Sequence, residues 1–113
     1  MGNPLLIEFG MGTSLRRADY TQAAARAIKD ALWHNSINLA ELYGKDKADM
    51  GLCVVLGVQE PDQVDTAKLA EIFPYGSLTF HVSKGGLDVP RPGGGKPTII
   101  ANVAIKVSLE GAE

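Results

Sequence analysis

The sequence predicts one α/β (α+β) domain over residues 1–113, ordered β-α-β-α-β-β: a mixed four-stranded sheet with two helices on one face. Three observations carry that expectation. The alanine-rich stretch from Tyr20 to His34 repeats its apolar positions at helical spacing, residues 51–58 form one continuous apolar run, and two later stretches alternate apolar and polar residues with the period of a strand.

The elements follow in order. Leu5, Leu6 and Ile7 begin a short apolar run through Glu8 and Phe9, and Gly10-Met11-Gly12 reads as the point where a buried strand gives way to a loop. Asp19 and Gln22 stand at capping-box spacing before the first helix. Ala24, Ala27, Ile28, Ala31 and Leu32 then fall on one helical face, with Arg26, Lys29 and Asp30 on the wetter side. Residues 35–49 are mostly polar and hold at most a short helical turn before Gly44. The run 51–58 reads as a central strand covered on both faces, with Cys53 an inert part of it. Pro61-Asp62 opens a second helix from Asp62 to about Phe73, which Pro74 closes. Leu78, Phe80 and Val82 alternate with Thr79, His81 and Ser83 in a half-buried strand. Ile99, Ala101, Val103, Ile105, Val107 and Leu109 alternate with Asn102, Lys106 and Ser108 in the last one. The glycine-rich stretch 85–97 connects these two strands as a mobile loop.

Helices on one side leave the other face of such a sheet bare. Another copy of the chain is the expected cover, three copies being the expected number by analogy with small proteins of this element order.

Composition narrows the function. Eleven Lys and Arg against thirteen Asp and Glu give a net charge of −2, without the basic excess that coats nucleic acid. A single cysteine precludes an internal disulfide, no apolar run spans a bilayer, and Met1-Gly2-Asn3-Pro4 lacks the basic start of a signal peptide. The expectation is a cytoplasmic protein with no nucleic-acid or membrane partner. Two histidines and one cysteine without clustered spacing point to no metal site, and no motif calls for a cofactor.

The candidate chemistry centres on Gly10-Met11-Gly12-Thr13-Ser14-Leu15-Arg16-Arg17. Loops at the carboxyl ends of strands are the usual ligand sites of α/β sheets. Gly10 and Gly12 would let backbone approach a ligand, Thr13 and Ser14 offer hydroxyls, and Arg16 and Arg17 suit a carboxylate or phosphate beside a helix N-terminus. Leu15 stands where a dinucleotide fingerprint needs its third glycine. Gly93-Gly94-Gly95-Lys96-Pro97-Thr98 is not a phosphate loop either: Pro90 and Pro97 break the pattern, and a strand follows instead of a helix. His81 is a candidate acid-base group, and Ser14 and Ser83 are candidate nucleophiles. Lys84 beside Ser83 points to the opposite face of a regular strand, and His34 suits the negative end of its helix.

Ile7-Glu8-Phe9-Gly10-Met11-Gly12, the helix end Trp33-His34-Asn35-Ser36 and Phe73-Pro74-Tyr75-Gly76 resemble a conserved hypothetical family of unassigned function, the Lin-type family named from a Listeria locus. The resemblance covers nearly the whole chain. The family's motif is G-x-G-x-D-x-H-G; Gly10 and Gly12 match it, whereas Ser14 replaces the acid, Arg16 the histidine and Arg17 the last glycine. Arginine for histidine exchanges a titrating group for a permanent cation, favouring anion binding over proton transfer. In architecture the chain is more distantly similar to the cyanuric acid hydrolase and barbiturase group, to RidA-type imine deaminases and to the small trimeric chorismate mutases. That similarity implies a subunit-interface pocket for a small anionic or polar, ring-like metabolite.

Two readings follow. One is an enzyme of the ring-opening amidohydrolase or deaminase type, using Ser14, His81 or Ser83. The other is a non-catalytic subunit or ligand-binding module, self-associated or paired with a paralogous subunit that supplies the missing acid and histidine. The residues leave open whether the chain is an enzyme.

Overall fold

Strand periodicity dictates which residues meet the helices, and the sheet is built around that division. The structure, a computed structural model, describes residues 6–34, 50–73 and 76–109. The expected turn within 35–49 lies outside them.

The described elements are β1 (Leu6–Ser14), α1 (Tyr20–His34), β2 (Met50–Val58), a 3-10 turn (Pro61–Gln63), α2 (Thr66–Ala70), β3 (Ser77–Lys84), β4 (Leu87–Val89) and β5 (Thr98–Leu109). The sheet order is β1-β5-β2-β3, and the short β4 also pairs with β5. It is mixed: β5 runs antiparallel to β1, β2 and β4, while β2 and β3 are parallel.

One face of the sheet carries the core. Leu52, Val54, Leu56 and Val58 of β2 and Ile99, Ala101, Ile105 and Val107 of β5 lie buried against Ala23, Ala24, Ala27, Ile28 and Ala31 of α1. Leu69 of α2 joins them, and Phe73 meets Phe80 of β3 edge to face at 6.4 Å. The alternation expected of β3 holds, and that of β5 holds from Ile99 to Val107; Ser108 is buried although it falls on the other face, and the side chain of Leu109 lies outside the described residues. Cys53, Val55 and Gly57 of β2 are only partly buried, so this strand is central but not closed over on its second face.

Three expectations need correction. First, β1 does not stop at its glycines; it continues through them to Ser14 in unbroken register with β5, from Leu6 opposite Val107 to Ser14 opposite Ile99. A Cβ on Gly10 would lie 2.3 Å from the Ala27 carbonyl oxygen, and one on Gly12 would lie 2.2 Å from the Ala27 nitrogen. The glycines pave the strand so that α1 can rest directly on its backbone, a tertiary demand that overrides their turn preference.

Second, the expected helix over 62–73 is a 3-10 turn followed by a five-residue α2. Val64 is extended, and Asp65 restarts the helix by accepting hydrogen bonds from the Ala67 and Lys68 nitrogens at 3.1 and 3.3 Å.

Third, the sheet has a fifth strand, because part of the 85–97 connection is ordered into it: Leu87, Asp88 and Val89 pair with Ile100, Ile99 and Thr98. The chain reaches that position by crossing close to Gly57, its nearest approach being Gly85, with Gly86 at φ +60°. Gln59 donates from Nε2 to the carbonyls of Gly85 and Gly86 at 3.0 and 3.1 Å, pinning the crossing.

The outer edge of β1 is half covered. Met11 donates its backbone N–H to Asp30 Oδ2 at 2.9 Å, and Arg26 Nη1 donates to the Thr13 carbonyl at 2.7 Å. Asp30 and Arg26 are one helical turn apart on α1, and together they occupy the edge groups of two alternate strand residues. Among the described residues, no helix covers the opposite face of the sheet. There Ile7, Phe9 and Met11 are 44%, 68% and 55% exposed.

Candidate functional site

The carboxyl end of β1 and the first turn of α1 meet around Ser14. Its side chain is fully buried; the hydroxyl donates to Gln22 Oε1 at 3.1 Å and accepts from the Asp19 N–H at 3.2 Å. Asp19 Oδ1 in turn accepts from the Gln22 N–H at 3.0 Å. The capping pair expected from the spacing is therefore present with one change: Ser14, not the Gln22 side chain, satisfies the Asp19 N–H. Ser14 acts as a brace for the helix start.

Past this brace the chain turns through Leu15, Arg16 and Arg17, all exposed. Leu15, Arg16, Arg17, Gln22 and Arg26 line a depression of about 300 Å3. Three arginines thus line one recess beside the positive end of α1. Arg26 is held from the other side by the Thr13 carbonyl.

The other candidate residues lie elsewhere. Gly10 and Gly12 face α1, whose backbone is what approaches them. Thr13 alternates to the opposite face of β1 and touches the site only through its carbonyl. His81 and Ser83 stand exposed on the open face of β3, opposite Val55 and Gly57. The sheet itself separates them from Ser14. His81 and Ser83 share a face; Ser14 and His81 do not. Ser83 borders a shallow open-face recess of about 260 Å3 with Phe9, Val55, Gly57, Asn102 and Ala104.

Sequence reasoning passed over Arg26, although its one-turn spacing from Asp30 marks a paired helix position. It also missed Tyr20 and Asp88. The Tyr20 hydroxyl donates to Asp88 Oδ2, tying α1 to β4, while the buried Oδ1 has no hydrogen-bond partner. Burial raises the Tyr20 hydroxyl to about 12, helped by its bond to Asp88, by the charge of that carboxylate and by Glu60. Burial alone raises Glu8 on the helix face of β1.

Among the described residues, no three His, Cys, Asp or Glu side chains come together to hold a metal ion, and no helix is long and apolar enough to cross a membrane.

Comparison with known proteins agrees with the chain's architecture. A crystal structure of an FtsZ-like protein of unknown function from Nostoc punctiforme superposes with a TM-score of 0.82 at 28% identity, covering 93% of each chain. None of the curated proteins matches the chain. A family model described as conserved hypothetical protein (Lin0512_fam) matches residues 4–107.

Proposed function

The chain belongs to this conserved hypothetical family, and within it we propose that the chain is a small-anion-binding subunit, with its ligand seated at the junction of β1 and α1. The observation that supports this is the recess bordered by Arg16, Arg17 and Arg26. Guanidinium forks match carboxylate and phosphate oxygens, and the nearby helix start adds partial positive charge. Gln22 offers an amide on the same wall, and Leu15 gives the exposed apolar surface that a ring would cover.

The non-catalytic reading is favoured over hydrolysis or deamination. Ser14 is committed to bracing α1, its hydroxyl held by Gln22 and the Asp19 N–H and by no basic side chain among the described residues. His81 and Ser83 lie across the sheet from the arginines, so the candidate chemistry and the candidate anion site do not share a surface. A partner subunit carrying the family's acid and histidine would restore proton-transfer groups to this position.

Calorimetric titration with inorganic phosphate and with a benzene dicarboxylate tests the proposal. The protein binds one or both, and Arg16→Ala with Arg17→Ala removes roughly 2–5 kcal/mol of that affinity where the pair is buried on binding. Equal binding by the double variant, or no binding by the parent, overturns it. Binding also weakens as salt is raised.

A further inference from the structure

The open face of the sheet holds a projecting aromatic side chain and a recess beside it. Phe9 is 68% exposed and stands directly opposite Ala104 in the β1–β5 register, with Val55 beyond it on β2, two strands away. Phe9 itself forms one wall of a recess of about 260 Å3, whose floor and other walls come from Val55, Gly57, Ser83, Asn102 and Ala104; Gly57 and Ala104 leave it open because they present almost no side chain.

We infer that this face pairs with the same face of a second copy, the Phe9 ring of each chain entering the other's recess. Strands lie about 4.8 Å apart, so the ring at the β1 wall and the β2 wall of the recess at Val55 are roughly 10 Å from one another on a single face. A two-fold axis lying between the sheets, midway between them, brings each ring over the partner's recess at once. The self-complementary pairing of ring and recess is that of two copies, where three were expected.

Charge and area favour the same occupant. Lys106 is the one Lys, Arg, Asp or Glu that the strand alternation places on this face among the described residues, and its stem lies between Ile7 and Cys53 in the register. Its amine can reach the rim. No acid opposes another across the axis. Four strands of about nine residues span roughly 30 Å by 15–20 Å, of the same order as the roughly 800 Å2 that each partner of a stable pair buries. Ile7 and Met11 flank Phe9 and extend the apolar strip, at 44% and 55% exposure.

The surface shares no lining residue with the arginine recess, so its test is independent of anion binding. Sedimentation equilibrium of the full chain, with the alkylation rate of Cys53 on the same face as a second readout, decides it. The parent sediments as two copies with Cys53 protected. Phe9→Ala and, separately, Ala104→Lys weaken the pair at least tenfold and speed Cys53 alkylation to the monomer's rate. Both substituted side chains face away from the core, and circular dichroism verifies that each variant stays folded. A parent that is monomeric or trimeric overturns the inference. A dimer that survives both substitutions overturns it as well, and then belongs to another surface such as the uncovered edge of β1.

Discussion

Tyr20 and Asp88 lie 68 residues apart and are joined by one hydrogen bond between the first turn of α1 and the shortest strand. Removing the hydroxyl leaves the Asp88 carboxylate, already unpartnered at Oδ1, without its other bond. Tyr20→Phe is expected to lower stability by roughly 1–3 kcal/mol, read from urea unfolding at pH 7. The pH dependence has a definite sign. A hydroxyl raised from 10 to about 12 in the folded state contributes in full below pH 10, and that contribution falls as pH climbs through 12. The parent therefore loses stability over this alkaline range more steeply than Tyr20→Phe, measured by denaturant midpoints at pH 9, 10.5 and 12. Gly12 is the second decisive residue. A methyl there meets backbone of α1 at 2.2 and 2.4 Å, so the helix must lift. Gly12→Ala is expected to destabilise by about 3 kcal/mol in the same assay.

At the scale of elements, the long periodic segments were legible and the short ones were not. Ala24, Ala27, Ile28 and Ala31 announce the buried face of α1, and the alternations of β3 and, from Ile99 to Val107, of β5 sort their residues correctly between core and open face. Gly10 and Gly12 misled because the same residue that frees a turn also lets a helix lie against a strand; only the alanines facing them tell the two apart. Leu87-Asp88-Val89 carries too few residues for a period, and its partner is defined by a long-range register. Pro61-Asp62 was read as the helix start, whereas the cap that the helix uses is Asp65, three residues on. The candidate site was half legible. Arg16 and Arg17 were found from residue type, whereas Arg26 enters through the packing of α1 against β1. The placement of Ser14 and His81 on opposite faces needed the true end of β1, Ser14, whereas the glycine reading had ended the strand at Phe9.

At the scale of the whole molecule, the sheet is organised about β5. It pairs with β1 on one side and with β2 and β4 on the other, and its apolar residues are the middle of the core. It is also the last of the described elements in sequence order. Assembly therefore waits on it: among the described strands β1 has no neighbour until β5 is in place, and the sheet under α1 lacks its middle. The sheet is expected to form in one late step once β5 is available, in the slow milliseconds-to-seconds range of folds dominated by distant pairings. Chains truncated after residue 97 should be cut by protease at the rate of an unfolded polypeptide, and ribosome-held chains should gain resistance only once residue 109 has cleared the exit tunnel. Resistance appearing earlier would mean that α1 and β2 find a stable arrangement without the strand that separates β1 from β2. For the cell, every copy made only as far as β4 is an open sheet without its centre, and the time spent in that condition is set by how quickly residues 98–109 follow.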